Sequence, residues 1–146
     1  MSLSRSELEQ AARKMFDAYA AVDDQGVRDL DDIISLFAPD VAYEMPFAPN
    51  PISLSGTQAL RTFLAGTQGA FVGTQYALNQ FTIDTERQTV VVEAKGSRRI
   101  RVTGETAAMR YVFVLTFRDG KISQTREYVF TTDQDKLMRA LKPQAA

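Results

Sequence analysis

Two chemically distinctive residue types are absent from this chain, which contains no cysteine and no histidine. Without cysteine there is no disulfide and no thiol nucleophile. Without histidine, arrangements such as Ser-His-Asp cannot form, and the usual nitrogen and sulfur ligands of zinc and non-haem iron are missing. We therefore expect no metal and no cofactor, and any proton transfer must use a carboxylate, tyrosine, lysine, water or the backbone.

The chain also has little net charge and no long apolar run. Its formal net charge is −1, so no strong field attracts nucleic acid or an anionic membrane. The one basic cluster, Lys95, Arg98, Arg99 and Arg101, is diluted by glutamates and is interpreted as a solvated hairpin face. No run approaches the ~18 apolar residues of a membrane span, and the N-terminus does not resemble a signal peptide. We expect a cytoplasmic protein without nucleic-acid or membrane partners.

The first part of the chain carries helix signals. Ser4 and Glu7 have the spacing of a capping box, and an apolar stripe with helical spacing follows. The helix is predicted to fade near Asp24, before Gly26. The stripe consists of Leu8, Ala12, Met15, Tyr19 and Val22.

Two shorter helices are predicted next. Asp29 can cap the second helix, whose buried face runs to Phe37. Pro39 ends this helix, because it forces Ala38 out of helical geometry. A short strand over 41–45 then runs into a proline-rich bent loop. The third helix begins near Gly56 or Thr57, and its inward residues are Leu60, Phe63 and Leu64.

From residue 74 the hydrophobic period changes to two, which predicts long strands. Asp119-Gly120 is a strong hairpin signal. A last short helix is predicted over 134–141. The four strands are predicted over 74–84, 88–102, 107–118 and 121–131.

Helices followed by an antiparallel meander indicate an α+β fold in a single domain over residues 1–146. Long strands that face three short helices must curve around them. The sequence therefore predicts a cone-shaped, curved antiparallel sheet wrapped on three N-terminal helices, with a concave cavity inside.

Four segments carry a family resemblance: AYAAVDDQG, DLDDIISLFAPDVAYEMPF, SGTQALRTFL and YVFVLTFRDGKISQTREYVF. Together they resemble the SnoaL-like and ketosteroid-isomerase-like branch of the nuclear transport factor 2-like superfamily. The resemblance implies a conical, cystatin-like α+β barrel with one pocket, and a homodimer formed through the outer face of the sheet. It also implies a substrate such as a steroid, a polyketide or another fused-ring ketone. Because this fold hosts many activities, it does not itself decide the chemistry.

Ketosteroid isomerases abstract a proton next to a carbonyl with a carboxylate, and stabilise the enolate oxygen with a tyrosine and a protonated aspartic acid. The resemblance places Tyr19 at the tyrosine position. It places Met45 where the family has its base, and Phe113 or, with a shift of one residue, Val114 where the family has the aspartic acid, so both of these carboxyl groups are missing. Tyr19 is also explained as a further member of the apolar stripe.

Glu127 is the remaining candidate acid or base. By the resemblance, residues 125, 127 and 129 face into the cone, where burial would raise the pKa of a carboxyl group. The alternative is an ion pair between Glu127 and an arginine such as Arg110. If Phe113 faces inward, Arg110 faces outward, and a slip of one residue reverses both.

The sequence thus predicts proton-transfer chemistry on a small, apolar, cyclic carbonyl compound, of the isomerase or polyketide cyclase type. The alternative is a non-catalytic ligand-binding or dimerisation domain of the same fold. The predicted catalytic residues are Tyr19 and Glu127. The predicted ligand-binding residues are Tyr43, Met45, Phe47, Phe63, Phe113 and Val129.

Overall fold

Three helices and six strands make up the part of the chain that the computed structural model describes, residues 1–46, 51–133 and 135–136. This composition confirms the α+β prediction. Within that part, no helix is long and apolar enough to cross a membrane. The elements are α1 Arg5–Ala20, α2 Leu30–Ile34, β1 Phe37–Met45, β2 Ile52–Ser55, α3 Thr57–Ala70, β3 Phe71–Asp84, β4 Thr89–Ile100, β5 Thr106–Arg118 and β6 Lys121–Phe130.

The six strands form one curved, unclosed sheet in the order β2-β1-β6-β5-β4-β3. Strands β3 to β6 form the predicted antiparallel meander. The sheet is not antiparallel throughout, however, because β1 pairs with β6 in parallel. Helix α3 explains this pairing, since it carries the chain back across the sheet between β2 and β3, and parallel strands require such a crossover.

Helices α1 and α2 begin where the sequence predicts but end earlier. The Ser4 and Glu7 capping box is formed, and the Asp29 side chain caps α2. Helix α1 stops at Ala20 because Ala21 is already extended, which leaves Val22 exposed.

Phe37 lies in β1 rather than on α2, which corrects the second helix prediction. The Leu36 carbonyl accepts a hydrogen bond from the Ile122 amide at 3.0 Å. The chain therefore enters the sheet at Phe37, and the helix ends before Pro39. Phe37 is buried there too, so its apolar character alone could not distinguish the two structures.

Strand β2 was not predicted. It pairs antiparallel with β1 and forms an edge of the sheet, with Ala42 opposite Ser55. Pro51 immediately precedes it, which an edge strand tolerates because an edge position needs no ladder donor there. The predicted helix over 134–141 lies outside the described residues apart from Asp135 and Lys136.

The core lies between α1 and the concave face of the sheet. The Phe16 ring meets the rings of Tyr76 on β3 and Phe113 on β5 edge-on, with both centroids 5.0 Å away. Every second side chain of β5 is buried, including Phe113, whereas Arg110 is exposed. The register thus turns Phe113 inward and Arg110 to the outer face.

Candidate active site

A small cavity lies between the helices and the inner face of the sheet, and we call it the Glu127 cavity. Its volume is about 30 Å³, which is room for roughly one or two water molecules. Met45, Phe63 and Leu64 form its apolar wall. Its larger polar side chains are Tyr19, Arg28, Tyr43, Tyr76, Arg98 and Glu127.

Glu127 reaches this cavity because of its position on β6. It pairs with Phe113 across the β5–β6 ladder and shares the inward face with Thr125, which is fully buried. The neighbouring Tyr128 points outward and is exposed. The side chain of Glu127 is only 4% exposed, so its carboxyl group is removed from bulk water.

The hydroxyl group of Tyr43 donates a hydrogen bond to the Glu127 carboxylate. Tyr43 lies on β1, next to β6 in the sheet, with Thr125 as its partner across the ladder. This contact fixes one carboxylate oxygen of Glu127.

The pKa of Glu127 is raised above its usual value of 4.5, and burial is the main cause. Arg98, the hydrogen bond from Tyr43 and the charge of Arg28 act in the opposite direction without cancelling the effect of burial. A carboxyl group held in this way exchanges its proton closer to neutral pH than an exposed glutamate does.

Arg98 corrects the prediction that the basic cluster is a solvated hairpin face. Its Nε donates to the Tyr111 hydroxyl at 3.1 Å, and its Cζ lies over the Phe71 ring, 5.1 Å from the centroid. Burial acts to lower the pKa of Arg98, but Tyr111, Tyr76 and Glu127 raise it overall, so the group stays charged.

A local signal for Arg98 exists in the sequence. On β4 it shares the parity of Val90, Val92, Ala94 and Ile100, which are all buried on the inner face. Because side chains alternate between the two faces of a strand, this parity predicts that Arg98 faces inward. The cluster was assigned to a solvated face despite this pattern, because charged residues are seldom found in the interior of a protein.

Glu127 forms no ion pair with an arginine among the described residues, which include Arg110. Arg110 is exposed on the opposite face of the sheet. The anticipated pairing of these two side chains is therefore wrong. The positive charges that act on Glu127 come instead from Arg98 and Arg28, at longer range.

Tyr19, on the last turn of α1, is 2% exposed and lines the Glu127 cavity. Its hydroxyl group is buried and has no hydrogen-bond partner among the described residues. Tyr43 lies near enough to influence its pKa, but the two hydroxyls do not meet hydrogen-bond geometry. Burial, followed by the charge of Glu127, raises the pKa of Tyr19, so it remains a neutral phenol that can donate.

The other predicted ligand-binding residues have different positions. Phe113 is fully buried in the core against Phe16 and does not line the cavity. Val129 is half-buried on the inner face and also lies off the cavity wall. Phe47 lies outside the described residues.

Arg28 was missed by sequence reasoning. It follows a turn at Gly26, where φ is +73° and a Cβ would lie 2.8 Å from the Val72 carbonyl oxygen, so glycine suits both the backbone angle and the close approach. This turn packs the loop against β3. The Arg28 Nη2 then donates to the Thr67 hydroxyl at 2.7 Å. No periodic pattern marks a loop residue of this kind.

The described residues contain no group of carboxylates that could hold a metal ion. The ionisable groups of the site are Glu127, the tyrosine hydroxyls and two guanidinium groups. Together they can move a proton and stabilise negative charge on an oxygen atom.

Sequence and structure comparisons define the relatives of this fold. A family model described as a SnoaL-like domain matches residues 12–125. No curated protein matches the chain. An NTF2-like protein of unknown function from Burkholderia pseudomallei has a TM-score of 0.72 at 18% identity, over 97% of this chain and 100% of its own.

Two further solved structures have the same fold. PrhC from Penicillium brasilianum has a TM-score of 0.75 at 14% identity, over 94% of this chain and 89% of its own. An LEH-like epoxide hydrolase from M. tuberculosis has a TM-score of 0.66 at 20% identity, over 93% and 90% respectively. At these identities the similarity supports the fold, while the chemistry must be argued from the site.

Proposed function

Because the chain belongs to the SnoaL-like domain family, we propose that it is an enzyme that transfers a proton on a small, apolar, cyclic carbonyl compound. Glu127 is the general base or acid. Tyr19 is the donor to the oxygen atom on which negative charge develops.

One observation carries this proposal: the same cavity is lined by a buried carboxyl group with a raised pKa and by a buried phenol that has no hydrogen-bond partner among the described residues. A carbonyl oxygen placed there accepts the free hydrogen bond of Tyr19. Glu127 can then remove a proton from the adjacent carbon, and the electrons of that C–H bond move toward the oxygen. The hydroxyl of Tyr19 and the positive charge of Arg98 stabilise the negative charge that develops on this oxygen.

The size of the cavity sets a condition on the substrate. A space of about 30 Å³ holds a carbonyl group but not a ring. A cyclic substrate has to displace the half-buried Met45 and Phe63 side chains. Methionine suits this role because its unbranched side chain adopts many rotamers.

A panel of cyclohexenone and tetralone in D₂O tests the proposal by NMR. We expect hydrogen atoms next to the carbonyl to exchange for deuterium faster with protein than in buffer alone, whatever product the natural substrate would give. If the probes show binding shifts but no added exchange, the non-catalytic ligand-binding alternative is correct. The existing hydrogen bond from Tyr43 to Glu127 favours that alternative, since it already occupies one carboxylate oxygen.

Tyr19→Phe separates a catalytic tyrosine from a structural one. Because the Tyr19 hydroxyl has no hydrogen-bond partner in the described part of the chain, its removal should leave the free energy of unfolding unchanged or raise it by about 1 kcal/mol. The loss of an oxyanion donor should slow α-proton exchange by about 10²–10³-fold. Urea unfolding and NMR exchange rates on the same samples measure the two effects.

The control for this experiment is Tyr43→Phe, which removes a hydroxyl that does have a partner. This variant should be less stable than the wild type, and the pKa of Glu127 should rise further because the hydrogen bond that lowers it is gone. If Tyr19→Phe retained the full exchange rate, Tyr19 would not be the oxyanion donor.

We also propose that the protein forms a homodimer through the outer face of the sheet, as the family resemblance implies. Two aromatic side chains of β6 support this proposal, since Tyr128 is 42% exposed and Phe130 is 62% exposed on that face. Light scattering on the full chain should give twice the mass of the monomer, and Phe130→Glu should shift the mass toward that of the monomer. A wild-type monomer at micromolar concentration would contradict it.

A further inference from the structure

Two arginines line both the Glu127 cavity and a second cavity next to it. This second space, which we call the Gly26 cavity, has a volume of about 20 Å³ and is bounded by Gly26 and by the start of β3. Arg28, Thr67 and Arg98 line both cavities. The two guanidinium groups therefore stand at the boundary between the two spaces.

Neither arginine has an acidic partner at ion-pair distance within the described part of the chain. Arg28 Nη2 donates to the Thr67 hydroxyl at 2.7 Å and to the Leu64 carbonyl at 3.4 Å. Arg98 donates through Nε to Tyr111. All of these hydrogen-bond partners are neutral, so neither guanidinium group is in direct contact with a negative charge, and Glu127 acts on them only at longer range.

The charge in this region is unbalanced. Glu127 is the only carboxylate among the described residues that line the two cavities, against two guanidinium groups, and none lines the Gly26 cavity. Burial lowers the pKa of Arg28, and the charge of Arg98 adds to this effect. Both arginines are partly buried, and charges of like sign that are partly removed from water are costly unless an opposite charge accompanies them. The ligand is a natural source of that opposite charge.

We propose that the substrate carries a carboxylate group that binds between Arg28 and Arg98 on the side of the Gly26 cavity, so that its carbonyl group enters the Glu127 cavity. This assignment builds on the proposed function and narrows its substrate class to cyclic keto acids. The planar guanidinium group presents several N–H donors in a fixed fork that matches a carboxylate. Arg98 has Nη donors free for this role, since its hydrogen bond to protein among the described residues uses Nε.

Binding of benzoate and of benzamide tests this assignment without any chemistry. The two probes have nearly the same shape, and only benzoate carries a negative charge. We expect benzoate to bind the wild-type protein about tenfold or more tightly than benzamide, by isothermal titration, because hydrogen bonds to a charged group are stronger. Arg28→Met and Arg98→Met should each abolish the preference, and Arg98→Lys should restore part of it.

Arg99→Met is the matched control, because Arg99 is the next residue on β4 and is exposed. It should retain the preference for benzoate. Thermal melts establish that each variant is folded, and the comparison of the two probes on the wild type needs no variant. Equal affinities, no binding of benzoate, or a preference that survives in both Met variants would overturn the assignment. A failure of the proposed enzyme activity is a separate result, because it would appear as absent α-proton exchange on the uncharged ketones.

Discussion

Glu127→Gln is expected to reduce α-proton exchange by about 10²–10⁴-fold, the usual contribution of a general acid or base. An amide has the shape of the carboxyl group but cannot accept the proton. Its oxygen can still accept the hydrogen bond from Tyr43, so the fold should be retained. NMR exchange rates on cyclohexenone and tetralone measure the loss. Glu93→Gln, an exposed position on β4, is the control that should retain the wild-type rate.

A second readout is the pH dependence of the exchange rate and of the free energy of unfolding, compared between the wild type and Glu127→Gln. As a base, Glu127 must be ionised, so wild-type exchange should increase with pH through an apparent pKa above 4.5. The folded state holds this proton more tightly than the unfolded state. The free energy of unfolding should therefore fall as pH rises from about 4.5 through the raised pKa. Glu127→Gln should remove that part of the slope. An unchanged exchange rate or an unchanged slope would show that Glu127 is not the titrating base.

Phe113→Ala is expected to lower the free energy of unfolding by about 3–5 kcal/mol. The side chain is fully buried, and its ring lies 5.0 Å from Phe16 and 5.6 Å from Tyr111, centroid to centroid. Truncation leaves a cavity that these rings cannot close. Urea unfolding measures the loss, with the exposed Val102→Ala as a control that should change stability little.

The Phe113 result also bears on the predicted ligand contact. Because this ring packs in the core and not on the cavity wall, Phe113→Leu should mainly reduce stability and leave the binding of benzoate nearly unchanged. A large loss of binding in a stably folded Phe113→Leu protein would instead show that the ring touches the ligand.

Much of the fold could be predicted because its signals are local. The alternation along β5 places Phe113 inward and the DG turn fixes the β5–β6 hairpin, so the positions of β3 to β6 follow from the sequence. Helix ends were less accurate. Whether Phe37 belongs to α2 or to β1 depends on a hydrogen bond between Leu36 and Ile122, and no local pattern encodes that pairing.

The candidate site was predictable for residues whose direction follows from an element. The parity of β6 groups Glu127 with Thr125 and Val129, the family resemblance implies that this face points inward, and the position of Tyr19 follows from the stripe of α1. Arg28 could not be placed, because its position depends on how the Gly26 turn packs against Val72. The contact between Tyr43 and Glu127 joins residues 84 positions apart, and it became visible only when the parallel pairing of β1 with β6 was known.

The parallel pairing of β1 with β6 has a consequence for synthesis of the chain. At translation rates of about 5–20 residues per second, Glu127 follows Tyr43 out of the ribosome after roughly 4–17 s. During that interval one edge of β1 has no partner, and the backbone groups of an open edge can pair with other chains. This edge of β1 therefore stays open until β6 is synthesised, and the Tyr43–Glu127 contact cannot form before then.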